Sequence, residues 1–391
     1  MRSFVILLIL WGFGTMAQTQ YTAIPDPNFE AALSAYDDIP NDHQIPTQAI
    51  DTIRVLEIVN KNIADLTGIQ DFAALQDLRC GSNQLTQLDV SQNTQLKVLS
   101  CYNNQMTSLD VSQNVLLTHL QVFNNQLTSI DVSNNPDLIY LSTGDNPIGY
   151  LDVTNNQALT YLYAYRNQLN GIDISHNTQL YRITLANNNI RQLDVSNNLR
   201  LMELNVRNNQ LTRIDVSMLP DLAWLNVSNN QLTDLNLDNN HALTKLRFND
   251  NLLTQVSILN GNTQNLIPGE FWAQNNPDLH CIFVNDPTWA SQNLTHIDSQ
   301  THFVATQSEC DAVGIPEKKL TKLTIYPNPT HGLLMLHTAQ PDIFYEVYDI
   351  TGKKITQGKS NHWLNIEHLQ SGVYLVKPKN SAEQIIKFVK Y

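Results

Sequence analysis

A unit of 21 residues, clearest at Gln84–Asn104 as QLTQLDVSQNTQLKVLSCYNN, recurs nine times in register between Ile63 and Asn251. A fixed period of this length is the signature of a solenoid, in which each unit buries its apolar face only against the units before and after it. Within the unit, Leu85, Leu88, Val90 and Asn93 anticipate Leu96, Leu99, Cys101 and Asn104 eleven residues later. A half-unit that short has no room for a helix of ordinary length with its connections. The spacing therefore predicts a short strand in each turn, with tight turns or extended chain on the convex side.

Leu96, Leu99, Cys101, Asn104 and Met106 fit the spacing L-x-x-L-x-L-x-x-N/C-x-L, and the unit resembles the short leucine-rich repeat class of bacterial surface proteins. The expected fold is mainly β: a parallel-strand solenoid with little helix on its convex side, a cap at each end, and a small antiparallel β-sandwich after it. Stacking at the strand spacing lines equivalent side chains into ladders. One ladder is Asn104, Asn125, Asn146, Asn167, Asn188, Asn209 and Asn230, whose amides are expected to satisfy backbone groups at the turn and to bond one another. The other is Asp89, Asp110, Asp131, Asp152, Asp173, Asp194 and Asp215, each followed two residues on by Ser or Thr. These carboxylates read as turn caps that accept local backbone N–H groups, rather than as a calcium row, because the unit lacks the glycines of calcium-binding nonapeptides.

The segments around the repeats have their own signals. Residues 1–17 combine Arg2, the apolar run from Val5 to Trp11 and Thr15-Met-Ala17, the pattern of a secretory signal peptide; no other stretch is apolar enough to span a membrane. Residues 18–62 read as an N-terminal cap, with Asp26 capping a short helix that begins at Pro27. The repeats extend over 63–276, regular to 251 and degenerate beyond. Residues 277–318 read as a C-terminal cap closed by a Cys281–Cys310 disulfide, permissible in an exported chain. Cys80 and Cys101 occupy the same inward position one unit apart and read as two buried thiols, with a bond between them as the alternative. No His or Cys pair has zinc-ligand spacing, and neither metal nor cofactor is expected.

Over 319–391 the period disappears and lysine rises. Tyr326-Pro327-Asn328-Pro329 with Gly332, then Val347-Tyr-Asp-Ile-Thr-Gly352-Lys353, then Leu369-Gln-Ser-Gly372-Val-Tyr374-Leu375, are similar to the type A C-terminal sorting domain of the bacterial type IX secretion system. That resemblance implies a Bacteroidota-like origin, handling by the type IX machinery, passage across the inner and outer membranes, and release or attachment at the cell surface. Alternating apolar runs at Leu333–Leu336, Phe344–Tyr348, Val373–Val376 and Ile385–Val389, separated by Gly and Asn turns, independently predict an antiparallel sandwich.

Charge and motifs narrow the function. The formal net charge is −13, and because residues 321–391 hold eight lysines against five carboxylates and Arg2 precedes residue 18, residues 18–320 carry −17. So acidic a solenoid argues against nucleic acid. There is no phosphate loop, nucleophile elbow or metalloprotease motif, and enzyme chemistry has no candidate residues. What varies from unit to unit is the outward face of the strands, read here as a recognition surface for an extracellular protein or glycan: Tyr102, Phe123, Tyr140, Tyr161, Tyr163, Tyr165, Arg166, Arg182, Arg207, Trp224, Lys245 and Arg247. Tyr161, Tyr163 and Tyr165 are flanked by the small residues Ser142, Gly144, Thr184 and Ala186, which predicts grooves beside large rings. The arginines and Lys245 predict a basic strip suited to an anionic glycan or an acidic protein patch. Rings also simply favour strands, so a passive surface coat is the alternative and an unrecognised enzyme the weaker one.

Overall fold

The computed structural model describes residues 19–313 and, further on, residues 324–326, 328–330, 332–337, 343–360, 363–378 and 385–391. The expected leader and Pro327 lie outside them. The chain divides into two compact units, one reaching Ala312 and one beginning at Val313.

In the first unit, eleven parallel strands from Val55–Glu57 to Phe271–Trp272 form one continuous sheet. Most are three residues long and pair in the register of the repeat, as Val98, Leu99 and Ser100 with His119, Leu120 and Gln121. The middle residue of each, such as Leu99, Leu120, Leu141 and Leu162, is fully buried. Its neighbours on either side therefore point outward. Leu85, Val90, Leu96 and their equivalents complete a single core that runs from Ile24 to Phe303, each large aliphatic chain contributing about 1.5–3 kcal/mol by leaving water.

Asparagine ends each strand. The Asn104 Oδ1 accepts the Leu85 N–H at 3.0 Å, and its Nδ2 donates to the Cys80 and Cys101 carbonyls at 3.2 and 3.0 Å, so one side chain joins two turns. Along this ladder the amides bond backbone as expected, with the Thr143 hydroxyl on Asn167 Oδ1 as an exception, but they do not bond one another, contrary to expectation. Amide-to-amide bonds form one residue earlier, from Asn124 Nδ2 to Asn103 Oδ1 at 2.8 Å and from Asn229 Nδ2 to Asn208 Oδ1 at 2.7 Å. These residues lie outside the core with φ of 51–54°, a left-handed conformation that Asn tolerates better than most residues.

Apart from one 3-10 turn at Ile69–Asp71, the convex side is turns and extended chain as far as Thr233, as the half-unit length requires. Beyond it, Asp234–Asn236, Gln255–Ile258, Cys281–Val284 and His302–Val304 form a second parallel sheet. The strand Cys281–Val284 thus extends the convex side, not the concave sheet. At the N-terminal end, Asp26 accepts the Asn28 and Phe29 N–H groups with one oxygen and the Ala64 and Asp65 N–H groups with the other. At the far end, Cys281 and Cys310 are bonded, with Cα atoms 6.0 Å apart. Cys80 and Cys101 are buried free thiols, and burial pushes Cys80 up to about 12.

The second unit contains a three-stranded and a four-stranded antiparallel sheet, sharing a core of Leu334, Leu336, Val347, Leu364, Ile366, Val376 and Phe388. The motif residues build its turns and strand contacts. Asn328 donates to the Lys387 carbonyl and accepts the Val389 N–H at 3.0 and 2.9 Å. Gly352 turns at φ 86° within a loop held by Asp349. A Cβ at Gly332 would stand 2.7 Å from Glu367. Gly372 opens the strand in which Tyr374 stacks on Phe388 at 5.5 Å, and Tyr326 closes the strand Thr324–Tyr326.

Candidate recognition surface on the concave sheet

Outward side chains form three columns at the 21-residue period: the first strand residue, the third, and the position two beyond the strand. The third column reads Gly81, Tyr102, Phe123, Gly144, Tyr165, Ala186, Arg207, Ser228 and Asn249. Tyr102 and Phe123 stack face to face, with centroids 4.7 Å apart and planes within 2°. The Tyr102 ring also covers Gly81, where a Cβ would come within 2.7 Å of it, and Tyr165 covers Gly144 in the same way, at 2.5 Å. Tyr165 therefore fills the gap that the sequence suggests as a groove; the open side is the other one, above Ala186.

Across the first two columns, Tyr140 lies 5.9 Å from His119, 6.0 Å from Tyr161 and 5.3 Å from Tyr163. Tyr181 extends this cluster, 6.1 Å from Tyr161; it stands one residue before its strand and so escaped a reading confined to strand positions. Partial burial raises the Tyr140 and Tyr165 hydroxyls above their ordinary range, so both remain donors at neutral pH. The cluster offers polarisable faces rimmed by hydroxyls, suited to stacking and hydrogen bonding together.

The basic strip is less free than its sequence suggests. Arg166 pairs with Asp145 at 3.1 Å, Arg182 with Glu203 at 2.6 Å and Arg247 with Glu270 at 2.7 Å. For Arg182, burial works against the charged form, but the Tyr163 hydroxyl and Glu203 outweigh it and raise the guanidinium further. Among the described residues, no carboxylate lies within ion-pair distance of Arg207 or Lys245. Arg207 stands exposed between two depressions of about 350 and 390 Å³. Tyr165, Ala186 and Trp224 line the first, and Ser228 and Trp272 the second. Trp272 lies beneath the Arg247 guanidinium, 5.7 Å from ring centroid to Cζ, and stacks on His296 at 4.5 Å. Sequence reasoning missed it because the unit lengthens there, although buried Phe271 and Ala273 on either side mark it as outward.

The Asp ladder behaves as turn caps. Ser91, Ser112, Ser133, Thr154, Ser175, Ser196 and Ser217 each donate a backbone N–H to the Asp two residues before, at 2.8–2.9 Å. Among the described residues, no group of three His, Cys, Asp or Glu side chains could hold a metal ion.

Comparison with known proteins places both units. A family model described as the secretion system C-terminal sorting domain matches residues 324–390. A segment of 70 residues is 37% identical to Internalin J of Listeria monocytogenes serotype 4b (strain F2365), spanning 18% of this chain and 8% of that protein. The solved structure of the functional domain of InlJ from Listeria monocytogenes, which includes a cysteine ladder, superposes with a TM-score of 0.57 and 24% identity, covering 96% of this chain and 99% of that one. The chain is a leucine-rich repeat protein with a C-terminal sorting domain. The sorting domain marks this leucine-rich repeat protein for export to the cell surface or the extracellular space by the type IX system. No helix among the described residues is long and apolar enough to cross a membrane.

Proposed function

We propose that this is a non-enzymatic extracellular recognition protein that binds a protein or glycan on its concave face, centred on Tyr140, Tyr161, Tyr163 and Tyr165. In this reading residues 1–17 are a leader, 18–62 and 277–318 close the solenoid, and 319–391 deliver it through the outer membrane. The observation that carries it is the contiguous His119–Tyr140–Tyr161–Tyr163 ring cluster on an otherwise uniform backbone. A passive coat needs only a soluble outer face, whereas large rings held side by side supply contact area at low entropic cost. Replacing Tyr163 and Tyr165 together with Ala is expected to abolish adhesion of the full chain to its target surface while changing the melting temperature little. Adhesion that survives the double substitution sinks the assignment.

A further inference from the structure

Beside the tyrosine cluster, the third column runs Tyr165, Ala186, Arg207, Ser228, Asn249. The two smallest side chains flank the one arginine of that column. Each leaves a well, and the two depressions of about 350 and 390 Å³ share Arg207, Asn226 and Arg247. With turns stacked at strand spacing, the wells sit two turns apart, about 10 Å. We propose that they form one site for an acidic saccharide, a carbohydrate chain whose carboxylate is held by Arg207, whose sugar faces lie against Tyr165 and Trp224 in one well, and whose hydroxyls meet Asn226 and Ser228 in the other. This rests on the concave recognition reading and specifies its ligand class.

Charge comes first. Arg166, Arg182 and Arg247 are held by Asp145, Glu203 and Glu270, so the arginine left to meet a ligand anion is Arg207. A guanidinium presents parallel N–H donors that match a carboxylate, and this one stands on a solenoid that is strongly acidic elsewhere. The Ser228 well also holds Asp250, but that carboxylate already accepts the Asn275 amide at 2.8 Å.

The rest of the lining selects a saccharide over an acidic peptide. The Asn205 Oδ1 accepts the Arg207 N–H at 3.3 Å and the Asn226 Oδ1 accepts the Ser228 N–H at 3.1 Å. Both amides are thereby fixed with their NH₂ groups left to donate, as hydroxyl-rich ligands require. Beyond Ala186 the wells contain no aliphatic side chain, so an aliphatic peptide anchor would meet only ring faces and polar groups.

The test is titration calorimetry on the full chain with fragments of oligogalacturonate, alginate and hyaluronate, the methyl ester of oligogalacturonate, and polyglutamate. At least one acidic saccharide should bind, with affinity falling as salt rises, and esterification and Arg207→Ala should each weaken it about tenfold or more, as loss of a charge-assisted contact does. Ala186→Phe should stack on Tyr165 as Phe123 does on Tyr102, fill the first well and abolish binding while the protein melts as before. The inference is overturned if none of the three saccharides binds at millimolar concentration, if the ester or Arg207→Ala binds as well as its parent, or if polyglutamate binds more tightly. Adhesion lost in the Tyr163/Tyr165 double variant but intact in Arg207→Ala and Ala186→Phe would remove this inference and leave the concave reading standing. Adhesion unaffected by all of these variants would remove both.

Discussion

At the scale of single residues, adjacent asparagines in the same turn meet opposite fates. Asn104 is buried and joins two turns through backbone groups, while Asn103 takes a left-handed conformation and exposes its amide to the next turn. The sequence makes asparagine legible as the strand terminator but does not distinguish the two, because both have the same chemistry and the same period. The distinction carries a cost that can be measured. Asn125 accepts the Met106 N–H at 3.1 Å and donates to the Cys101 and Val122 carbonyls at 3.1 and 3.0 Å. Asn125→Asp removes both donors and sets a carboxylate oxygen against two carbonyls. At about 1–3 kcal/mol for each buried group left unpaired, the variant is expected to lose about 3 kcal/mol or more in urea unfolding, whereas Asn124→Asp should lose well under 1 kcal/mol.

Between neighbouring turns, Asp-x-Ser caps and side-chain pairs one period apart hold the chain in place. Hydrogen bonds from the following Ser or Thr, backbone and hydroxyl together, hold Asp89, Asp110, Asp131, Asp152, Asp173 and Asp194 below the ordinary carboxylate range. A lowered folded value means that the caps stabilise the solenoid fully above the unfolded value of about 4 and are lost as pH falls through the folded values. The urea midpoint should therefore drop below about pH 4, and replacing Asp131 and Asp152 with Asn should flatten that drop; equal pH dependence in both proteins would remove the caps as its cause. The ion pairs had a readable signal that sequence analysis passed over. Arg166 and Asp145, like Arg182 and Glu203, are separated by the period itself, 21 residues, so their side chains share a column. Ring direction had no such signal: which neighbour Tyr165 covers depends on its rotamer, not on its spacing.

For the whole solenoid, contacts between successive turns dominate and stability is close to one-dimensional. The cap that holds the last turns should then matter there and little elsewhere. Opening Cys281–Cys310, which closes a separation of 29 residues, is expected to cost about 3–4 kcal/mol by the loop-entropy account. Replacing both cysteines with Ser should speed amide exchange in Cys281–Val284 and His302–Val304 while leaving the strands near Leu120 protected. Uniform loss of protection would mean that the solenoid unfolds as one cooperative block. A last consequence follows from Tyr102 reaching back over Gly81, Phe123 over Tyr102 and Tyr165 over Gly144. Overlapping in one direction, like roof shingles, these rings make the concave face an oriented track. A linear ligand laid along it would meet a different profile head-first than tail-first.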